Sequence, residues 1–88
     1  MSVIVQKFGG TSMKNPERIQ AAAERAVREA RAGHRVAVVV SAMAGETDRL
    51  LGLANQIDPA GSLRERDMLA AAGEQVSIAL MALAIQKL

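Results

Sequence analysis

Two short apolar runs, at residues 3–5 and 36–40, flank a segment with helical periodicity, and this pattern restricts the fold more than any other feature. In each run apolar side chains occupy odd and even positions alike, as in strands buried on both faces. Between them, Asn15 and Pro16 form a helix start, since Asn is a favoured N-cap and proline suits the first helical position. Ile19, Ala22, Ala23, Ala26, Val27 and Ala30 then recur on one face, with Glu24, Arg25, Arg28, Glu29 and Arg31 on the other. Gly33 is placed to end the helix in a left-handed conformation. Strand, helix and strand of these lengths predict an α/β fold built on a βαβ unit with parallel strands and a right-handed crossover.

A third element is predicted over about residues 47–57, with Leu50, Leu53, Ala54 and Ile57 on one face. Asp58-Pro59-Ala60-Gly61 reads as a turn, and Ser62 with Glu65 fits a capping box for the next helix. Gly73 is expected to interrupt that helix just before Glu74, and a last helix then runs to the end. Val76, Leu80 and Leu83 line one side of it; Ile78, Met81, Ile85 and Leu88 line another. A helix apolar on most sides is normally buried by several neighbours. Two strands and a few helices cannot cover it, so Val76, Ile78, Leu80, Met81 or Ile85 should be partly exposed in this chain alone.

Eighty-eight residues make one small domain or a piece of a larger one, and a half-hydrophobic composition argues against disorder. Phe8 is the only aromatic residue, and the net charge is only +2 with no basic block. Neither a stacking platform nor a basic stripe is present, so no nucleic-acid partner is expected. The chain has no cysteine, which excludes disulfides and cysteine-zinc sites and is compatible with a reducing cytosol. His34, the lone histidine, follows a helix-ending glycine and reads as a loop residue. No signal peptide is visible. The most hydrophobic run, residues 78–85, is about a third to a half of a bilayer-spanning helix, so it is read as buried in protein and no membrane partner is expected.

The chemistry concentrates where the first strand ends. Lys7-Phe8-Gly9-Gly10 places a cation beside two residues that permit positive φ and close backbone approach to a ligand. Consecutive N–H groups in such a turn can form an anion-binding nest. The bland alternative is an ordinary strand-to-loop turn; a Walker A motif is excluded, because the lysine precedes the glycines. The parallel topology brings Ser41-Ala42-Met43 to the same carboxyl edge of the sheet, where open α/β sheets bind ligands. Thr47 reads either as a helix N-cap or as a hydroxyl at a helix start that binds carboxylates. Glu74 reads either as a solvated carboxylate suited to a helix N-terminus or as a ligand-binding group.

The opening segment resembles the Lys-Phe-Gly-Gly-Thr-Ser signature of aspartate kinases, in the amino acid kinase family. Ser41-Ala42-Met43 with Thr47-Asp48 is similar to the family's Ser-Ala-Met…Thr-Asp segment. Asp67-Met68-Leu69 followed by Gly73-Glu74-Gln75-Val76-Ser77 is similar to its Met-Leu…Gly-Glu segment. The three motifs stand in the family's order and span the chain. Residues 43–47 read Met-Ala-Gly-Glu-Thr, whereas many relatives carry Gly-Asp/Lys-Thr at the end of that stretch.

The resemblance implies the amino acid kinase fold, a three-layer α/β/α sandwich with a mainly parallel sheet, of which residues 1–88 would be an incomplete N-terminal portion. It implies ATP-dependent phosphorylation of the side-chain carboxylate of L-aspartate to 4-phospho-L-aspartate, on the way to lysine, threonine and methionine, by a cytoplasmic homo-oligomer. It makes Lys7 the catalytic residue at the transferring phosphoryl group, and Lys7, Phe8, Gly9 and Gly10 the contacts to the ATP phosphates. Ser41, Thr47 and Glu74 become the aspartate site, with Glu74 on the α-ammonium group. Mg²⁺ is expected with ATP, although no dedicated metal-ligand pattern stands in the sequence. Two alternatives are another amino acid kinase, against which Thr11-Ser12 and Gly73-Glu74 argue, and a non-catalytic fragment that binds a partner through its apolar helix.

Overall fold

The computed structural model describes residues 2–88. β1 (Val3–Phe8) and β2 (Arg35–Val40) pair in parallel, with Val3 opposite Arg35 and Phe8 opposite Val40. α1 (Pro16–Arg31) connects them and begins as its sequence predicts, with Asn15 Oδ1 accepting a 2.8 Å hydrogen bond from the Arg18 N–H. The chain leaves α1 through Gly33, whose φ of 96° is left-handed and suits glycine. Ile19, Ala22, Ala23 and Ala26 are buried along the inner stripe of α1, whereas Ala30, at its far end, is exposed.

After β2 come α2 (Glu46–Ile57) and α3 (Leu63–Lys87), which pack on each other. Two local expectations fail here. Gly73 does not interrupt a helix; α3 runs unbroken for 25 residues. Ser62 occupies the N-cap position, yet its side chain makes no capping hydrogen bond, so the capping box does not form. The corner is held by Arg66, whose guanidinium donates to Asn55 Oδ1 at 2.8 Å and to the Asp58 carbonyl at 2.7 Å. The turn itself is the expected one: the Ala60 N–H donates to Asp58 Oδ1 at 2.9 Å and the Gly61 N–H to the Asp58 carbonyl at 3.1 Å.

Phe8, Met13, Ile19, Ala22, Ala23 and Met81 form the core, with Val38, Val40, Leu80 and Ile85 packed against it. All of it lies on one face of the sheet. Val3 and Val5 point to the other face and remain 69% and 67% exposed, so the strands are not buried on both sides as their apolar runs predict. The pattern reports a sheet built for two covered faces; within this chain α1 and α3 cover one. α3 shows the same imbalance. Met81 is buried, while Val76 and Ile78 stay 48% and 57% exposed, as expected for an apolar helix with too few neighbours to cover it, and Leu83 is 63% exposed as well.

Size arguments agree. A compact monomer of 9.3 kDa exposes about 5,000 Å² of surface, whereas this chain exposes 6068 Å². Its radius of gyration is 15.3 Å, against roughly 12 Å for a compact domain of this length. Exposed apolar surface of this extent drives association. In sedimentation velocity at rising concentration, the isolated chain is expected to show species heavier than a 9.3 kDa monomer. A monomer with one sharp cooperative melt would contradict that expectation.

Candidate functional site

The site is assembled where both strands leave the sheet. The Ser41 N–H donates to the Phe8 carbonyl at 3.1 Å and stitches the two exits together. Beyond Phe8, the chain turns at Gly9-Gly10, and the Met13 N–H closes the turn on both glycine carbonyls at 3.1 Å. Met13 is fully buried, so the turn is anchored in the core. Beyond Val40, residues 41–44 pass beside Gly10, where a Cβ would lie 3.7 Å from Ala44 Cα. Gly45 then takes φ of 79° and starts α2, with the Glu46 N–H on the Met43 carbonyl at 3.0 Å.

These loops and the middle of α3 border an open cleft of about 240 Å³, just under the roughly 300 Å³ at which small-molecule sites begin. Gly10, Ser41, Met43, Thr47, Asp48 and Glu74 line it, together with Ala42, Ala44 and Gly45. Thr47 and Asp48 are the second and third residues of α2, where backbone N–H groups have no carbonyl one turn back. Those donors and the hydroxyls of Ser41 and Thr47 suit an anionic group. The carboxylates of Asp48 and Glu74 suit a cationic one. One cleft therefore offers both halves of zwitterion recognition. Glu46 takes no part, because Arg49 grips its carboxylate through Nη2 at 2.6 Å and Nε at 3.0 Å. That hydrogen bond holds the Glu46 carboxyl below the usual carboxylate range; partial desolvation opposes the shift and the Arg49 charge adds to it.

The cleft gathers Gly10, Ser41, Thr47 and Glu74 from the set expected on sequence. Lys7, Phe8 and Gly9 lie outside its lining. Lys7 is exposed and shares the bare face of the sheet with Val3 and Val5. The Phe8 ring is 6% exposed and belongs to the core, so Phe8 meets the site through its backbone carbonyl. Gly9 and Gly10 do not use positive φ, which among the described residues occurs at Gly33 and Gly45 alone. Thr47 is not the N-cap; Gly45 is, without a side-chain hydrogen bond. Asp48 reaches the cleft although only its place in a motif drew attention to it. Among the described residues, no three His, Cys, Asp or Glu side chains gather to hold a metal ion.

Comparison with known proteins decides the family. The sequence profile of the amino acid kinase family matches residues 2–88. The chain belongs to the amino acid kinase family. It is 55% identical over 87 residues to Aspartokinase 2 of Bacillus subtilis (strain 168) and 53% identical over 88 residues to an aspartokinase of Mycolicibacterium smegmatis. Those alignments cover 99% and 100% of this chain and 21% of each relative, so the chain spans about a fifth of their length. The crystal structure of aspartate kinase from Synechocystis superposes with a TM-score of 0.94 at 56% identity, over 97% of this chain and 14% of that one. The two-strand parallel unit with its helices is thus a portion of the amino acid kinase fold.

Gly45 makes this family member's α2 start testable. A Cβ there meets nothing within 4 Å, so Gly45→Ala changes only backbone strain. Holding alanine in the left-handed region costs roughly 1–2 kcal/mol, and urea unfolding of this chain joined to the remaining four-fifths of an aspartokinase relative should show a loss of that size. An unchanged midpoint would mean that the loop reaches α2 by another conformation.

Proposed function

We propose that this chain supplies the phosphate turn and much of the amino-acid cleft of an aspartate kinase, which transfers the γ-phosphoryl group of ATP to the side-chain carboxylate of L-aspartate. The observation that supports it most is the pairing, in one cleft, of anion-binding donors from Ser41, Thr47 and the start of α2 with the carboxylate of Glu74. An amino acid with a second carboxylate matches that set. A carboxylate oxygen of aspartate attacks the γ-phosphorus, the bond to the ADP oxygen breaks, and 4-phospho-L-aspartate and ADP are formed. No base is needed for the nucleophile, because a carboxylate of ordinary pKa is ionised at neutral pH.

In this reading Glu74 holds the substrate ammonium, and Ser41 and Thr47 orient a carboxylate. Lys7 and the backbone of Gly9 and Gly10 face the phosphates, where a cation and N–H groups stabilise charge on the transferring group. Phe8 contributes by packing. Mg²⁺ arrives with the nucleotide, since it is commonly bound through substrate phosphates and few carboxylates. The enzyme works as a cytoplasmic oligomer, and the 88 residues alone are inactive, because the bare face of the sheet and the exposed side of α3 need further protein to order the site.

The test is a chimaera in which this chain replaces the matching fifth of the Bacillus subtilis enzyme. It should phosphorylate aspartate, and the isolated chain should not. Lys7→Ala in the chimaera should lower kcat by about a hundredfold or more, the effect of losing one preorganised charge donor. Near-normal turnover would remove Lys7 from the chemistry. Glu74→Gln keeps the size and removes the charge. A charge-assisted hydrogen bond contributes roughly 1.5–3 kcal/mol, so aspartate binding should weaken by one to two orders of magnitude with ATP affinity little changed. Weakened ATP with unaffected aspartate would reverse the assignment of Glu74.

A further inference from the structure

We propose that Gly73 is a positioning residue for the amino-acid cleft: the side chain it lacks lets α3 seat directly on Ala42 and α2, and that seat fixes Glu74 across the cleft from Ser41 and Thr47. The inference rests on the reading of the cleft as the amino-acid site. Gly73 lies in the interior of α3, where alanine is intrinsically favoured over glycine. Its backbone is not among the positive-φ glycines, so conformation does not require glycine there. Space does. A Cβ on Gly73 would lie 3.3 Å from Ala42 Cβ, 3.4 Å from Leu50 Cδ1 and 3.5 Å from Glu46 Cγ. The neighbours come from both the loop after β2 and α2, and the two nearest would be crowded.

The three neighbours differ in freedom to yield. Leu50 can rotate its side chain. Glu46 is held by Arg49 but is the farthest of the three. Ala42 has no side-chain torsion that moves its methyl, so relief there requires the backbone to shift. That backbone is fixed on both sides: the Ser41 N–H is bound to the Phe8 carbonyl and the Met43 carbonyl accepts from the Glu46 N–H. α3 is therefore the partner that must move. Ser77 and Met81 follow Gly73 at one-turn intervals and are buried too, so α3 rests on a line of contact that has Gly73 at its cleft end. Glu74 is the next residue along the helix and lines the cleft that Ala42 also lines. A methyl at position 73 displaces the wall that carries Glu74 while leaving Lys7, Gly9 and Gly10 where they are.

In the chimaera, Gly73→Ala should raise the KM for aspartate roughly tenfold, since a misplacement of about 1 Å in a positioned site costs about a hundredfold and the contact at position 73 calls for a smaller shift, and should leave the KM for ATP within about twofold. Combining it with Ala42→Gly removes the methyl that is met and should restore most of the loss, a coupling that independent sites do not show. An unchanged aspartate KM in Gly73→Ala overturns the proposal, and so does a raised KM that Ala42→Gly fails to relieve. If Gly73→Ala does not fold, the double variant decides: recovery of fold and of aspartate KM supports the seat, and failure to recover overturns it. A chimaera that turns over no aspartate before any substitution would refute the functional reading instead. The melting temperatures of the same variants then test the seat, with restoration by Ala42→Gly supporting it and additive losses overturning it.

Discussion

Because β1 and β2 run parallel and in register, with Phe8 beside Val40, both strands leave the sheet at one edge, and the Ser41 N–H meets the Phe8 carbonyl at 3.1 Å. The loop walls of the cleft follow from that junction. It brings a glycine turn from one strand against a small-residue loop from the other. The loop then turns directly into α2, so the free N–H groups of a helix start open on the same space. An antiparallel pair would have sent the two exits to opposite ends of the sheet. The α1 crossover required by parallel pairing supplies the stripe of Ile19, Ala22, Ala23 and Ala26 that covers one sheet face.

The same junction explains the division of labour between polar groups. Side chains that alternate along a strand point to opposite faces. Phe8 falls on the covered face and becomes core; Lys7, one residue earlier, falls on the bare face and keeps its charge in solvent. Glu46 and Glu74 are both carboxylates near the cleft, yet only Glu74 lines it, because Arg49 is placed one turn from Glu46 and binds it through both oxygens. Asp48, two residues beyond Glu46 on the same helix, has no such bond and turns to the cleft. Helical spacing thus decides which acid is engaged and which is left for a ligand.

Burial is incomplete in a patterned way. The sheet covers Ile4 and Phe8 more than Val3 and Val5, and α3 covers Met81 more than Ile78 or Leu83. The uncovered residues are those that a second layer on the bare sheet face and a further neighbour of α3 would reach. This agrees with a chain that spans about a fifth of its curated relatives and overlays 14% of the Synechocystis structure at a TM-score of 0.94.

The strands, α1 with its Asn15 cap, the left-handed Gly33 and the Asp58 turn were legible in the sequence, because each depends on residues within one element or a few positions of it. The motif order was legible too, and it led to the family that comparison established. What sequence could not disclose depends on contacts between distant segments. Gly73 looks like a helix breaker when only its neighbours are considered; it is a close-contact residue because Ala42 and α2 come within reach of it. Ser62 and Glu65 match a capping pattern, but Arg66 bonds across to Asn55 and Asp58 and holds the corner without it. Phe8 reads as part of a phosphate turn, and Met13 is lost among polar neighbours, until α1 and α3 close over both. Sequence by itself determined β1, α1, β2, α2 and the edge at which chemistry gathers, because periodicity, the Asn15 cap and parallel pairing act locally or through topology. Tertiary structure alone decided which side chains face the cleft, the core or solvent, because that depends on which surfaces meet when the helices close over one face of the sheet.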